Sequence, residues 1–298
     1  MRVEGPISRD RSSFLGLLLV LAAACSSVPS DSGQPNTADS QQLPGWLYSS
    51  FVHDDFQIYV HTPQGFSPDD APNTHLVVLL DADWYMDGTH ERLGNGGVVG
   101  IAEWEARAGS IPSVAVLGIG EINRQGQNMR GRDFLTGPRA FIGFVTGELL
   151  PLFYQEYALP QQEFKDVTLM GHSDGAYFSV WVLFRDAPAV FRNVIAISGD
   201  FTKPHYDVFA AEEDYYERAP DTRACLYLGV GSLEESRFLT SFTRMAEAIE
   251  SRQGSKLAFS GRSYENMNHG TVVAPAFSDG LKFSFSSSCY PDSSVGSD

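Results

Sequence analysis

The sequence predicts an α/β layer structure, a mostly parallel central sheet with helices on both faces. Three observations lead there. Short apolar runs without polar alternation recur along the chain, and such runs suit strands covered on both sides. Longer stretches between them repeat apolar residues at helical spacing. One apolar run passes through a glycine-flanked turn directly into a helical stretch, as in a parallel sheet.

From the N-terminus, Arg2, Arg9 and Arg11 precede an apolar run from Phe14 to Ala24. The run is too short to cross a bilayer as a mature helix, so residues 1–24 read as a signal peptide. Cys25 follows Leu21-Ala-Ala-Ala24, which resembles a bacterial lipobox although Ala22 stands where leucine is commoner. Cys25 is therefore the expected lipidation site, tying the protein to a membrane; the alternative is ordinary cleavage with Cys25 incidental. Either way the expected location is outside the cytoplasm, in the periplasm or on the outer membrane. Residues 25–43 are Ser, Pro, Asp, Gly, Gln, Asn and Thr with almost nothing apolar, and read as a disordered tether.

The folded domain is expected over 44–286, as one domain. A partly alternating segment over 51–60 suits an antiparallel strand, and continuous apolar runs at 75–80, 113–119, 167–170, 194–197 and 224–230 suit buried ones. A last strand is expected over 256–263 and a last helix over 272–285. Phe141, Phe144, Val145, Leu149 and Leu152 form one helical stripe; Phe238, Phe242, Met245 and Ile249 form another. Pro151 lacks a donor and should disturb or end the first of these helices. Residues 287–298 read as a flexible tail.

Charge and cysteines exclude several functions. The chain carries 37 acidic against 21 basic residues, a net charge of −16, and would repel a nucleic-acid backbone. Its three cysteines lack the close spacing of a thiolate metal site, and no metal is expected. Cys225 and Cys289 could pair in an oxidising compartment. The glycine stretch at 94–100 fails the dinucleotide fingerprint at Val99, so no nucleotide cofactor is implied.

The chemistry concentrates at Gly171-His-Ser-Asp-Gly175, between a buried strand and a helix of Phe178, Val180, Trp181, Val182 and Leu183. This is the setting of a nucleophile elbow, in which glycines let the backbone close tightly around a strained, exposed serine. Ser173 is the candidate nucleophile, with His172 as a flanking residue. A serine hydroxyl needs a base to remove its proton. His269, in the polar turn between the last strand and last helix, is the candidate; the other histidines either precede the nucleophile or follow it too soon. The acid should orient that imidazole. Glu234, after the run at 224–230, is the choice, Glu235 the reserve and Asp200 a third option.

Two backbone N–H groups should form the oxyanion hole: that of Asp174, just after the nucleophile, and that of Asp83, in the loop after the strand at 75–80. Trp84 and Tyr85 are candidate walls of an acyl pocket. Arg130 and Arg132 could bind an anionic part of a substrate, against the simpler expectation that they pair locally with Asp133 and Glu121.

Several pieces in order resemble the Putative esterase family of α/β hydrolases, which includes enterochelin and salmochelin esterases, feruloyl esterases, esterase D and mycolyltransferases. They are Leu79-Leu-Asp81, Val116-Leu-Gly-Ile119 with Asn123 and Arg130-Gly-Arg-Asp-Phe134, Phe141 with Glu148-Leu-Leu-Pro151, Gly171-His-Ser-Asp-Gly175, Phe191 with Ile195-Ala-Ile-Ser198, Gly231-Ser-Leu-Glu234, and His269-Gly-Thr-Val-Val273. The likeness runs from about residue 48 to 285, departing at Ala176, where a second glycine is usual, and at Ala82, where Asp-Gly often stands. It implies the α/β-hydrolase fold and a cofactor-free serine esterase acting on a small-molecule ester, with Ser173 as nucleophile, Glu234 as acid and His269 as base. Acyl transfer to an alcohol, as in the mycolyltransferases, is the alternative reaction and would show as transfer product when an acceptor is supplied. A non-catalytic binding protein on the same fold is the alternative of another class, and would resist fluorophosphonate labelling.

Overall fold

The apolar runs become β2 to β8 of a sheet whose strands are β1 (Gly45–Ser49), β2 (Asp54–His61), β3 (His75–Leu79), β4 (Val114–Ile119), β5 (Val167–His172), β6 (Asn193–Ile197), β7 (Ala224–Gly231) and β8 (Leu257–Tyr264). The structure is a computed structural model that describes residues 43–88, 96–158, 163–185, 190–218, 223–252 and 257–290. The leader at 1–24, Cys25 and the tether up to residue 42 lie outside the described residues. The strand order is β1-β2-β4-β3-β5-β6-β7-β8. β3 to β8 run parallel, while β2 pairs antiparallel with both β1 and β4.

The helices are α1 (Ala82–Tyr85), α2 (Gly97–Arg107), α3 (Pro138–Phe144), α4 (Leu150–Tyr157), α5 (Asp174–Arg185), α6 (Val208–Arg218), α7 (Ser236–Glu250) and α8 (Val273–Ser284). β3 shows why its run has no alternation. Leu76 and Val78 belong to a core with Phe141, Phe178 and Met245, whereas Val77 and Leu79 belong to a second core with Ala102, Phe277 and Leu281. Helices α3 to α7 therefore cover one face, and α2 with α8 the other. Among the described residues no helix is long and apolar enough to cross a membrane.

Three local expectations are corrected. Strand β2 starts at Asp54 because the chain turns through His53, whose φ is 59°, and β1 ahead of it was not anticipated. At Pro151 the regular helix is disturbed as expected: the α3 ladder gives way to a π-helical turn at Val145–Leu149, and α4 starts anew with Pro151 in its first turn. The expected tail is anchored up to Tyr290. Cys289 is disulfide-bonded to Cys225 with Cα atoms 5.8 Å apart. The Tyr290 hydroxyl donates to Asp166 (2.6 Å) and accepts from the Asn193 amide (2.8 Å). At the other end, Leu43 already belongs to the domain, its N–H donating to Glu156 at 3.0 Å.

Connections leave β3 toward β4 on one side, and the chain then returns to β5 on the other. The carboxyl ends of β3 and β5 thus flank the switch point of the sheet, where α/β folds place their sites.

Candidate active site

Ser173 is the single residue between β5 and α5. Its backbone is left-handed, with φ 58°, and its N–H donates to the Ile197 carbonyl at 2.9 Å. Such a conformation costs about 1 kcal/mol or more for a non-glycine residue. Gly171 is required by space: a Cβ there would lie 2.5 Å from the Gly175 backbone. Neighbouring strand ends repeat the geometry, with φ 56° at Asp81 after β3 and at Ser198 after β6.

The loops after β7 and β8 bring Glu234 and His269 together. His269 Nδ1 lies 2.6 Å from Glu234 Oε2. A carboxylate oxygen accepts, so Nδ1 carries the hydrogen and Nε2 is left as the basic nitrogen. The Glu234 side chain is fully buried, and its other oxygen accepts from the Gly231 N–H (2.7 Å) and the Ser198 hydroxyl (2.6 Å). Gly231 is demanded here too, since a Cβ would lie 2.3 Å from the Met267 carbonyl oxygen in the facing loop. Neither reserve acid touches the imidazole: Glu235 is exposed and pairs with Arg237, and Asp200 accepts from the Thr202 N–H and hydroxyl. Ser198 was not singled out in the sequence, although its place after β6 in Ile197-Ser-Gly199 marks it as a strand-end residue.

The His269 ring packs on His172, centroids 4.4 Å apart, and on Phe238 at 4.5 Å. That sets it beside the Ser173 turn. Among the described residues the Ser173 hydroxyl makes no hydrogen bond to the imidazole; in enzymes without substrate such bonds are commonly long and close on binding.

Asp174 and Asp83 stand in the first turns of α5 and α1, where N–H groups have no acceptor within the helix. The Asp83 carboxylate accepts from Tyr59 (3.1 Å) and from the N–H groups of Glu121 (2.5 Å) and Ile122 (3.1 Å), clamping its loop to the end of β4. The Asp174 carboxylate pairs with Lys203.

The remaining expected residues divide. Arg130 sits 2.7 Å from Asp81 and 4.0 Å from Asp174, donates to the His172 carbonyl at 3.2 Å, and lies over the Trp84 ring at 5.3 Å. Burial alone would lower its pKa, but Asp81 and Asp174 outweigh it and hold the guanidinium charged. Arg132 is engaged by Asp54 (2.5 Å) and Asp133 (2.7 Å), which is the local pairing. Tyr85 does not wall a pocket: it is buried in the core beneath the site, with its hydroxyl 2.9 Å from His172 Nδ1. Trp84 is half-buried. Glu121 is buried behind the Asp83 loop, and burial together with Asp133 pushes its pKa well up. Among the described residues no group of three or more His, Cys, Asp or Glu side chains is placed to hold a metal ion.

Comparison with known proteins gives the lineage. The family model described as Putative esterase matches residues 49–275. Similar solved structures include the BES protein from Bacillus cereus, with a TM-score of 0.66 and 23% identity over 83% of this chain and 98% of that one. The siderophore hydrolase EstB from Aspergillus nidulans has a TM-score of 0.65 and 19% identity over 80% and 93% of the two chains. An IroE-like serine hydrolase from Shewanella oneidensis has a TM-score of 0.65 and 18% identity over 80% and 78%. No curated protein matches the sequence. The solved structures speak for the fold; the family match spans most of the folded domain, and the chain belongs to the Putative esterase family of α/β hydrolases, a carboxylic ester hydrolase.

Proposed function

We propose that the protein hydrolyses esters through an acyl-Ser173 intermediate, with His269 as base and Glu234 as acid. His269 Nε2 takes the hydroxyl proton as Ser173 Oγ attacks the ester carbonyl. Glu234 stabilises the imidazolium that forms. The N–H groups of Asp174 and Asp83 stabilise the oxyanion. His269 then protonates the departing alcohol, and water, activated by the same nitrogen, releases the acid. The observation that carries this reading is the 2.6 Å contact between His269 Nδ1 and the sealed Glu234 carboxylate, on a loop packed against the Ser173 turn.

The class of ester belongs to the same proposal: siderophore or feruloyl esters, supported by the family resemblance and by the siderophore hydrolase among similar structures. So does export with a lipid anchor at Cys25, supported by the Cys225–Cys289 disulfide, since such bonds persist in oxidising compartments. The test is Ser173→Ala assayed on nitrophenyl esters of increasing length, a feruloyl ester and a siderophore trilactone. Turnover should fall by at least about 10⁴-fold while the melting curve is kept; retained turnover in folded protein would refute the assignment.

A further inference from the structure

His172 was read from sequence as a bystander beside the nucleophile, yet it is buried and both ring nitrogens face specific partners. Nε2 lies 2.9 Å from the backbone carbonyl oxygen of His269, and Nδ1 lies 2.9 Å from the Tyr85 hydroxyl. A carbonyl can only accept, so Nε2 carries the hydrogen; in the neutral ring Nδ1 then accepts from Tyr85. The partners fix the tautomer.

Each of the three groups joined by this ring belongs to a different part of the proposed machinery. Tyr85 ends α1, two residues beyond the oxyanion donor Asp83. His172 ends β5, immediately before Ser173. The accepting carbonyl is that of His269 itself. The rings of His172 and His269 also pack at 4.4 Å with 46° between their planes, so the bracket constrains the backbone and the imidazole plane of the base together. Glu234 orients the same ring through Nδ1, and the Leu233 N–H, donating to the Met267 carbonyl at 2.9 Å, ties the loop to the end of β7, whereas His172 ties it to the strand that carries Ser173. We infer that His172, held as the Nε2–H tautomer by Tyr85, is a positioning residue that sets where His269 stands relative to Ser173.

This rests on the reading of Ser173 and His269 as nucleophile and base, and the experiment separates the two. The second-order rate of Ser173 labelling by a fluorophosphonate is measured, with kcat and KM on a nitrophenyl ester, for wild type, His269→Ala, His172→Phe, His172→Gln and Tyr85→Phe. A misplacement of about 1 Å costs on the order of a hundredfold. His172→Phe, which keeps volume and loses both hydrogen bonds, should therefore slow labelling and kcat by about ten- to a hundredfold with KM little changed. His172→Gln keeps an N–H donor and should recover most of that loss. Tyr85→Phe should fall between the two. Packing without positioning would lower the melting temperature of His172→Phe, leave its kcat per folded molecule unchanged, and give glutamine no advantage over phenylalanine; that pattern overturns the inference. If His172→Phe fails to fold, wild-type labelling by Tyr85→Phe overturns it instead. His269→Ala labelling as fast as wild type would sink the underlying nucleophile–base reading, whatever the His172 variants do.

Discussion

Asp81 holds a left-handed backbone at the end of β3 with its carboxyl sealed from solvent. Burial pushes its pKa from 3.8 up to about 6, with Arg130 opposing the rise only in part. A carboxyl that binds its proton more tightly in the folded chain destabilises that chain as pH rises between the two values, because the unfolded state ionises first. Asparagine tolerates the left-handed region and does not titrate. Wild type should therefore lose about 2–3 kcal/mol of stability relative to Asp81→Asn between pH 4 and pH 6.5. Urea titrations at several pH values read this directly, and a flat difference would show that Asp81 does not titrate in that window. The Asp81 charge also helps to raise the Glu121 pKa, so the comparison is repeated in a Glu121→Gln background. At this scale the sequence is legible where a residue type has one job in one place: Ser173 in its glycine frame, Glu234 and His269 after successive strands. Tyr85 and His172 were not legible, because their partners lie far away in sequence and arrive only with the fold; the Arg132–Asp133 pair, between chain neighbours, was.

The strand–turn–helix around Ser173 concentrates packing demand in a few backbone atoms. Gly171 and Gly175 approach so closely that a methyl group on the former meets main chain, which cannot swing aside as a flexible side chain would. Gly171→Ala should cost about 3 kcal/mol or express insolubly, as read by chemical denaturation and soluble yield; a change below about 1 kcal/mol would show the elbow to be looser than its geometry. Strands β3 to β7 were readable to within a few residues because both faces are buried and their apolar runs are continuous. Strand β1 and the four-residue α1 were not, since segments of four or five residues carry no period of their own and form against partners. The disturbance at Pro151 was legible but not its form, since a proline forbids the ordinary ladder but not a widened turn just before it.

For the whole molecule, residues 287–290 fasten the segment after α8 back onto the sheet. The Cys225–Cys289 bond spans 64 residues of sequence, and closing a loop of that size removes about 4 kcal/mol of unfolded-state entropy at 25 °C on the chain-entropy model. Cys225→Ser with Cys289→Ser should lower stability by roughly 2–4 kcal/mol yet leave turnover per folded molecule unchanged. The bond sits at the start of β7, while Glu234 follows that strand's far end. Calorimetry with an esterase assay checks both halves, and a fall in turnover matching the fall in stability would contradict the separation. Layer order, net acidity and family likeness were all visible from residues alone, and so was the candidate Cys225–Cys289 pair, whereas the capture of Tyr290 was not, because a serine-rich stretch gives no hint that its tyrosine reaches Asp166 and Asn193.

Asp81, Ser173 and Ser198 close three adjacent strands with φ near 57°, a region that glycine enters freely. A laboratory search for heat tolerance that ignores turnover would gain by installing glycine there and would erase the proposed nucleophile, Ser173. Thermal robustness and esterolysis pull against each other at one rim of the barrel-less sheet, so screens on this scaffold need both readouts from the first round.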